Sequence, residues 1–288
     1  MVIDFHTHTF PDAIAASTLQ KLSGVSHSAP FTDGTGAGLA ASMGEAGVDL
    51  SIVLPVATSP RQVRHINEAA ALANRRAGET GLFSFGCIHP DCEHWREELD
   101  HIAALGLKGV KLHPVYQGVA LDDPRYLRIL TRAGELDLVV VTHAGVDIGY
   151  PDAGHCLPDV VLRAVRQAGP VKLVAAHMGG WKRWREAAEL LADTPVYLDT
   201  SFSTGFIAPL DDGHYAPEEL RLLAAEEFVS MVRLFGPERV LFGTDSPWSG
   251  QRESLEWLRA LPLTEGERDA VLGGSARRLL GLGEKPER

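Results

Sequence analysis

The stretch "LDLVVVTHAG", residues 136–145, runs four apolar side chains together, Leu138 to Val141, and then reaches a histidine. An unbroken apolar run of this kind reads as a strand covered on both faces. The stretch "VKLVAAHMGG", residues 171–180, repeats the pattern, histidine included, and residues 157–167 between them read as a helix. Strand, helix, strand in that order implies parallel pairing through a right-handed crossover.

Working outward, the same rhythm fills the chain. Upstream strands are "VIDFHTHTF" (2–10), "VDLSIVLPV" (48–56), "LFSFGCIHP" (82–90) and "LKGVKLHP" (107–114); downstream strands are "PVYLDTS" (195–201) and "ERVLFGTDSPW" (238–248). Helices are expected over 39–47, ending in Gly47, over 60–78 with Gly78 as the stop, over 94–106, 124–135, 181–193 and 217–236, and in a closing pair over 252–280. Residues 11–38 read as weakly structured, with "FTDGTGAG" (31–38) a flexible loop by its glycines. Eight strands, each followed by a helix, within 288 residues predict a single-domain (β/α)8 TIM barrel spanning 1–288; such barrels typically take ~250 residues. The rival, a doubly wound open sheet, would place a glycine-rich phosphate loop after the first strand. This chain has "FHTHTFPD" there.

The formal net charge is −11 and no lysine–arginine stripe is present, which argues against a nucleic-acid or anionic-membrane partner. No apolar run approaches the ~20 residues of a bilayer span. A strand beginning at Val2 leaves no room for a signal peptide, and three irregularly spaced cysteines (Cys87, Cys92 and Cys156) give no disulfide framework. Cys87 reads as a buried strand residue, and Cys156 as an unassigned loop thiol. A cytoplasmic location is expected.

Chemistry is expected at the C-terminal strand ends, where barrel active sites lie. His6 and His8 are two apart, so in a strand they share a face about 7 Å apart, whereas in a helix they would diverge. Further strand ends carry His89, Lys111 and His113, His143, His177, Thr200 and Ser201, and Asp245. Any one histidine is ordinarily a packed or surface residue; five metal-competent side chains on one rim point to a site. Imidazole and carboxylate are the usual ligands of Zn²⁺ and related divalent ions at ~2.0–2.2 Å.

The motifs "DFHTH", "GVKLHP", "VVVTHAG", "VAAHMGG" and "VLFGTDSPW", in this order over residues 2–248, resemble the amidohydrolase superfamily, specifically its amidohydrolase-2 branch, which also contains aminocarboxymuconate semialdehyde decarboxylase-like enzymes. The resemblance implies that His6, His8, His143 and Asp245 hold one divalent ion, Zn²⁺ by preference. His177 would be a catalytic histidine, or a ligand of a second ion in binuclear members. Lys111 resembles the strand-4 lysine that in dihydroorotases is carboxylated and bridges two ions. An ordinary ammonium, paired or reaching an anionic substrate, is the expectation favoured here. A homodimer is implied by resemblance alone.

His113 shares the parity of Lys111 and is a substrate or supporting residue; the opposite parity would turn Val110 and Leu112 inward instead. Trp248 is a candidate pocket wall, and Trp181 packs its helix. Tyr116, Gln117 and Tyr150 lie on loops where selectivity is usually written. His89 reads as a hydrogen-bonded rim residue, and His65, His94 and His101 as surface residues. Three functions follow. In the first, a hydrolase attacks a small amide, lactone or cyclic carboxylate with activated water, Asp245 and His177 moving protons and His177 steadying the oxyanion. In the second, the same site runs a non-oxidative decarboxylation. In the third, the barrel binds a ligand without catalysis, which the presence of Asp245 and His177 disfavours.

Overall fold

The computed structural model describes residues 1–283. Its strands are β1 (Ile3–Thr7), β2 (Leu50–Val53), β3 (Leu82–Ser84), β4 (Gly86–Cys87), β5 (Gly109–Leu112), β6 (Val139–Thr142), β7 (Lys172–Ala175), β8 (Tyr197–Asp199) and β9 (Val240–Leu241). Successive strands pair in parallel within the runs β1–β3 and β4–β9. The expected third strand is divided at Phe85 into β3 and β4, yet the Phe85 amide still donates to Val53 O at 2.9 Å. The ring closes where Phe5 N donates to Phe242 O at 2.7 Å, Asp245 N to His6 O at 2.8 Å and His8 N to Ser246 O at 2.7 Å. The nine segments thus form the eight staves of one TIM barrel.

Parity along the staves sorts the core. Val139, Val141, Val174, Leu241, Ile3, Phe5, Ile52 and Phe85 pack together inside the barrel, and the C-terminal helix Ser275–Leu280 adds Ala276, Leu279 and Leu280 to that cluster. Val110, Leu112, Val140 and Leu173 belong instead to the layer between strands and helices. Lys111 pairs in register with Val141, so it points inward, as its parity with His113 requires. β1 breaks register between Asp4 and Thr7. That bulge lets both Phe5 and the adjacent His6 face the interior, the usual use of a bulge beside a site.

Three expectations need correction. Residues 11–38 are not weakly structured: helix Asp12–Ser26 buries Ala15, Leu19, Ser23 and Ser26, and helix Gly36–Ala46 starts at Thr35, whose hydroxyl accepts from Gly38 N at 2.9 Å. Small and hydroxyl side chains on the buried face of the first helix hid its periodicity. Gly78 is not a helix stop; helix Val63–Asn74 ends earlier, and the following turn Ala77–Thr80 ends at Gly81, whose φ is +70°. The helix expected over 217–236 covers only Ala225–Phe235.

Candidate metal centre

The first imidazole pair is set by its outward contacts. His6 Nδ1 lies 2.8 Å from the Asp199 carboxylate, and His8 Nδ1 lies 2.8 Å from the carbonyl of Leu54. Both partners only accept, so each ring carries a hydrogen on Nδ1 and turns Nε2 inward. Those two nitrogens are 3.2 Å apart. Asp245 Oδ1 lies 3.4 Å from His6 Nε2 and 3.0 Å from His8 Nε2. Two imidazole nitrogens and a carboxylate oxygen therefore converge within 3.0–3.4 Å of one another, close enough for one cation to take all three as ligands. The donor set fits Zn²⁺ or a related divalent ion.

The groups around this triangle are buried and charged. Burial works against the Asp245 carboxylate, but the imidazoles of His8, His6 and His177 hold it well below the usual carboxylate range. His6 is pushed down to about 4 by burial and by the Lys111 ammonium. Lys111 Nζ lies 2.9 Å from His6 Nε2, and burial lowers it to about 8 against the pull of Asp199 and Asp245. The ammonium thus donates to the lone pair that an ion would use.

Asp199, at the end of β8, is the hub that sequence reading passed over in favour of its neighbours Thr200 and Ser201. Its Oδ2 takes the His6 ring; its Oδ1 accepts from His177 N at 3.0 Å, from Ser201 N at 3.1 Å and from the Ser201 hydroxyl. Opposed to its own burial, the His6 and His177 imidazoles and the Ser201 hydroxyl hold it below the usual range. A carboxylate inside an apolar strand was the available signal. Asp4 is a second one: it accepts from Thr244 N at 3.0 Å, Thr244 Oγ1 at 2.6 Å and Gln251 Nε2 at 2.8 Å, and burial lifts it to about 7. It ties β1 to the segment carrying Asp245.

His177 and His143 meet beside the triangle. His177 Nδ1 lies 3.0 Å from Ser201 O, a pure acceptor, so its hydrogen sits there and Nε2 is a lone pair. His143 Nδ1 lies 3.0 Å from that Nε2 and donates to it. Burial lowers His177 and takes His143 well below its ordinary value, so both rings are neutral. His177, Met178 and Asp245 have left-handed backbone, with φ of 59°, 56° and 68°; this costs about 1–2 kcal/mol each in ordinary residues. Such outliers cluster at functional sites.

On the other side of the mouth, His113 stacks between Tyr116 and His143 with centroids 3.8 and 4.6 Å away. Gln117 anchors that side: its carbonyl accepts from His113 N at 3.0 Å, and its amide donates to Ala57 O and Ile88 O. Asp147, four residues past His143 on the loop after β6, was also missed; burial raises it to about 6. Trp248 N donates to Asp245 O at 2.9 Å, and its half-buried side chain packs with Trp181, Phe202, Ile207 and Leu222. Trp181 donates its indole N–H to Phe202 O at 2.9 Å and packs in that loop core. His89 Nδ1 accepts from Asp91 N at 3.1 Å. Tyr150, His65 and His94 are exposed, and His101 is half-buried.

The chain belongs to the amidohydrolase family, whose model (Amidohydro_2) matches residues 3–282. No curated protein matches it. Solved structures similar to it include an uncharacterized TIM-barrel protein from Bordetella bronchiseptica, at 18% identity and TM-score 0.75 over 97% of this chain and 98% of that one. A dihydroxybenzoic acid decarboxylase from a Polaromonas species, solved with bound manganese and 2-nitroresorcinol, aligns at 15% identity and TM-score 0.70 over 98% and 97%. A protein from Pseudomonas putida described as a 2-pyrone-4,6-dicarboxylic acid hydrolase aligns at 22% identity and TM-score 0.65 over 97% of each chain. At these identities the likeness carries the fold alone.

Proposed function

We propose that this amidohydrolase-family enzyme is a divalent-metal-dependent hydrolase acting on a small amide, lactone or related carboxylate substrate. One observation carries the reading: the convergence of His6 Nε2, His8 Nε2 and Asp245 Oδ1 at the barrel mouth. These three would hold the ion, and His143, at the end of β6, would complete the set. Zn²⁺ suits the nitrogen and oxygen donors, and the manganese of the dihydroxybenzoic acid decarboxylase suits them as well. When bound, the ion supplies Lewis acidity toward the scissile carbonyl and lowers the pKa of water to ~7.

The chain's own groups then move the protons. Asp245 is ionised and 12% exposed on the mouth, so it takes the proton of the attacking water and returns it to the leaving group. His177 offers a lone pair at Nε2, so it begins as an acceptor and becomes a donor to the oxyanion only once protonated. Asp199 keeps the hydrogen of His6 on Nδ1. Buried Cys87, Cys92 and Cys156, all unpaired, support a reducing compartment such as the cytoplasm.

A carboxy-lyase reading is favoured by a different observation. Among the described residues Lys111 is the one lysine or arginine in the buried polar set, and its ammonium faces the interior where a substrate carboxylate would enter. The two readings separate when metal-loaded enzyme is given a panel of amides and lactones and a panel of unsaturated and aromatic carboxylates. Ring opening or amide cleavage supports hydrolysis. Release of carbon dioxide with no hydrolytic turnover overturns it and establishes the lyase.

A further inference from the structure

The outer nitrogen of His177 rests on a single residue. Its Nδ1 lies 3.0 Å from the Ser201 carbonyl oxygen and 2.9 Å from the Ser201 hydroxyl. That hydroxyl is fully buried and owns one hydrogen, which it donates to Asp199 Oδ1. Toward the imidazoles it therefore only accepts. It also lies 3.0 Å from His6 Nδ1, which reaches Asp199 Oδ2 at 2.8 Å. The rings of His6 and His177, with centroids 5.3 Å apart, thus meet through their outer nitrogens on one oxygen.

The backbone at His177 is held by neighbouring groups. Asp199 Oδ1 accepts from its amide at 3.0 Å, Asp199 O accepts from Met178 N at 2.7 Å, and Trp184 donates its indole N–H to His177 O at 3.1 Å. His177 and Met178 are left-handed, with φ of 59° and 56°, a conformation that persists only where the surroundings over-determine it. These contacts fix the main chain but not the ring. Among the described residues Ser201 is the one hydrogen-bond partner of the His177 Nδ1.

We propose that Ser201 is a positioning residue for His177: its hydroxyl links that ring to the Asp199 carboxylate and sets it against His6, so that Nε2 points into the mouth. This role rests on the proposed function, in which His177 begins as a proton acceptor. Without the hydroxyl, the Ser201 carbonyl still keeps a hydrogen on Nδ1, but a single acceptor leaves the ring free to swing about it. Outer partners of this kind orient an imidazole. His6 keeps Asp199, so the ion's own site is spared.

The test is a double-mutant cycle on the Zn²⁺-loaded full chain, with whichever member of the amide, lactone and carboxylate panels turns over. Ser201→Ala should lower kcat by roughly 10–100-fold with KM held. Each variant should keep about one ion per chain by mass spectrometry. In a His177→Ala background the same change should cost less than about twofold, because the residue it acts through is gone. Ser201→Cys fills the space with a weaker donor and should fall as Ser201→Ala does, whereas Ser201→Thr, which keeps a hydroxyl, should recover most of the loss. An unchanged kcat in Ser201→Ala, equal costs in both backgrounds, or a Ser201→Cys enzyme as fast as the natural one overturns the positioning role. Loss of the ion from Ser201→Ala overturns it too and assigns the hydroxyl to His6. Undiminished turnover in His177→Ala removes that ring from the reaction and this role with it, leaving the metal site in place. A natural protein that turns over neither panel overturns the functional reading beneath both.

Discussion

The two sides of the barrel mouth hold similar side chains under different constraint. On the β1–β9 side each metal-facing imidazole has its outer nitrogen occupied, His6 by Asp199 and His8 by the Leu54 carbonyl. On the β5–β6 side His143 Nε2 is unpartnered, and the Asp147 oxygen nearest His113 is 3.7 Å away. Outer hydrogen bonds fix a ring's tautomer and aim. The first side is therefore fixed by its outer contacts, whereas the second leaves the His143 Nε2 without a partner.

The largest expected effect is on the arranged side. Asp245→Asn removes the proton carrier and one triangle oxygen, and turnover should fall by roughly 10³-fold, in the range of general acid–base catalysis. Steady-state kinetics on whichever substrate panel reacts would show it; a variant within about tenfold of the parent would mean that the carboxylate is not the proton carrier. Next comes stability against acid. Burial and Lys111 hold His6 at about 4, below its ordinary 6.5, so the folded state keeps it neutral. Its contribution, on the order of 3 kcal/mol, is whole above pH 6.5 and is lost as the pH falls through 4. Burial likewise lowers His113, His143 and His177, while Asp4, lifted to about 7, works in the opposite sense. Urea unfolding of metal-free protein should therefore show a marked loss of stability between pH 7 and 5. A flat profile would contradict neutral buried rings.

Asp199→Asn sharpens the comparison directly. Losing the carboxylate behind His6 should weaken metal affinity by roughly 10–100-fold, measured by chelator competition. An unchanged affinity would show that the outer contacts do not distinguish the two sides. The smallest effect belongs to the β5–β6 side: Gln117→Ala strips partners from His113 N, Ala57 O and Ile88 O. It should cost about 2 kcal/mol of folding stability while leaving metal affinity at the triangle within about twofold. A large loss of triangle affinity would join the two sides into one unit.

How much of this was legible depended on where each residue sits. The barrel could be read because its staves are apolar on both faces and end in polar residues, as in "LVVVTH" and "LVAAH". His6, His8, His143, His177 and Asp245 stood out because each directly follows such a run. Asp199 and Asp147 did not: one lies inside a strand beside the more conspicuous Thr200 and Ser201, the other in a loop four residues beyond a histidine. Their importance comes from contacts across the barrel, to residues 193 positions away for Asp199 and His6, which no local pattern encodes. The bulge that turns His6 inward is equally invisible, since strict alternation from Ile3 and Phe5 would have sent it outward. The helix Asp12–Ser26 escaped because its buried face is built from alanine, leucine and serine with little polar contrast.

The most direct trial of the account is anomalous diffraction from crystals soaked in Zn²⁺ or Mn²⁺. A peak is expected within about 2.0–2.3 Å of His6 Nε2, His8 Nε2 and Asp245 Oδ1, with the Lys111 ammonium drawn off His6. A fully soaked crystal with no peak among those three atoms would contradict it.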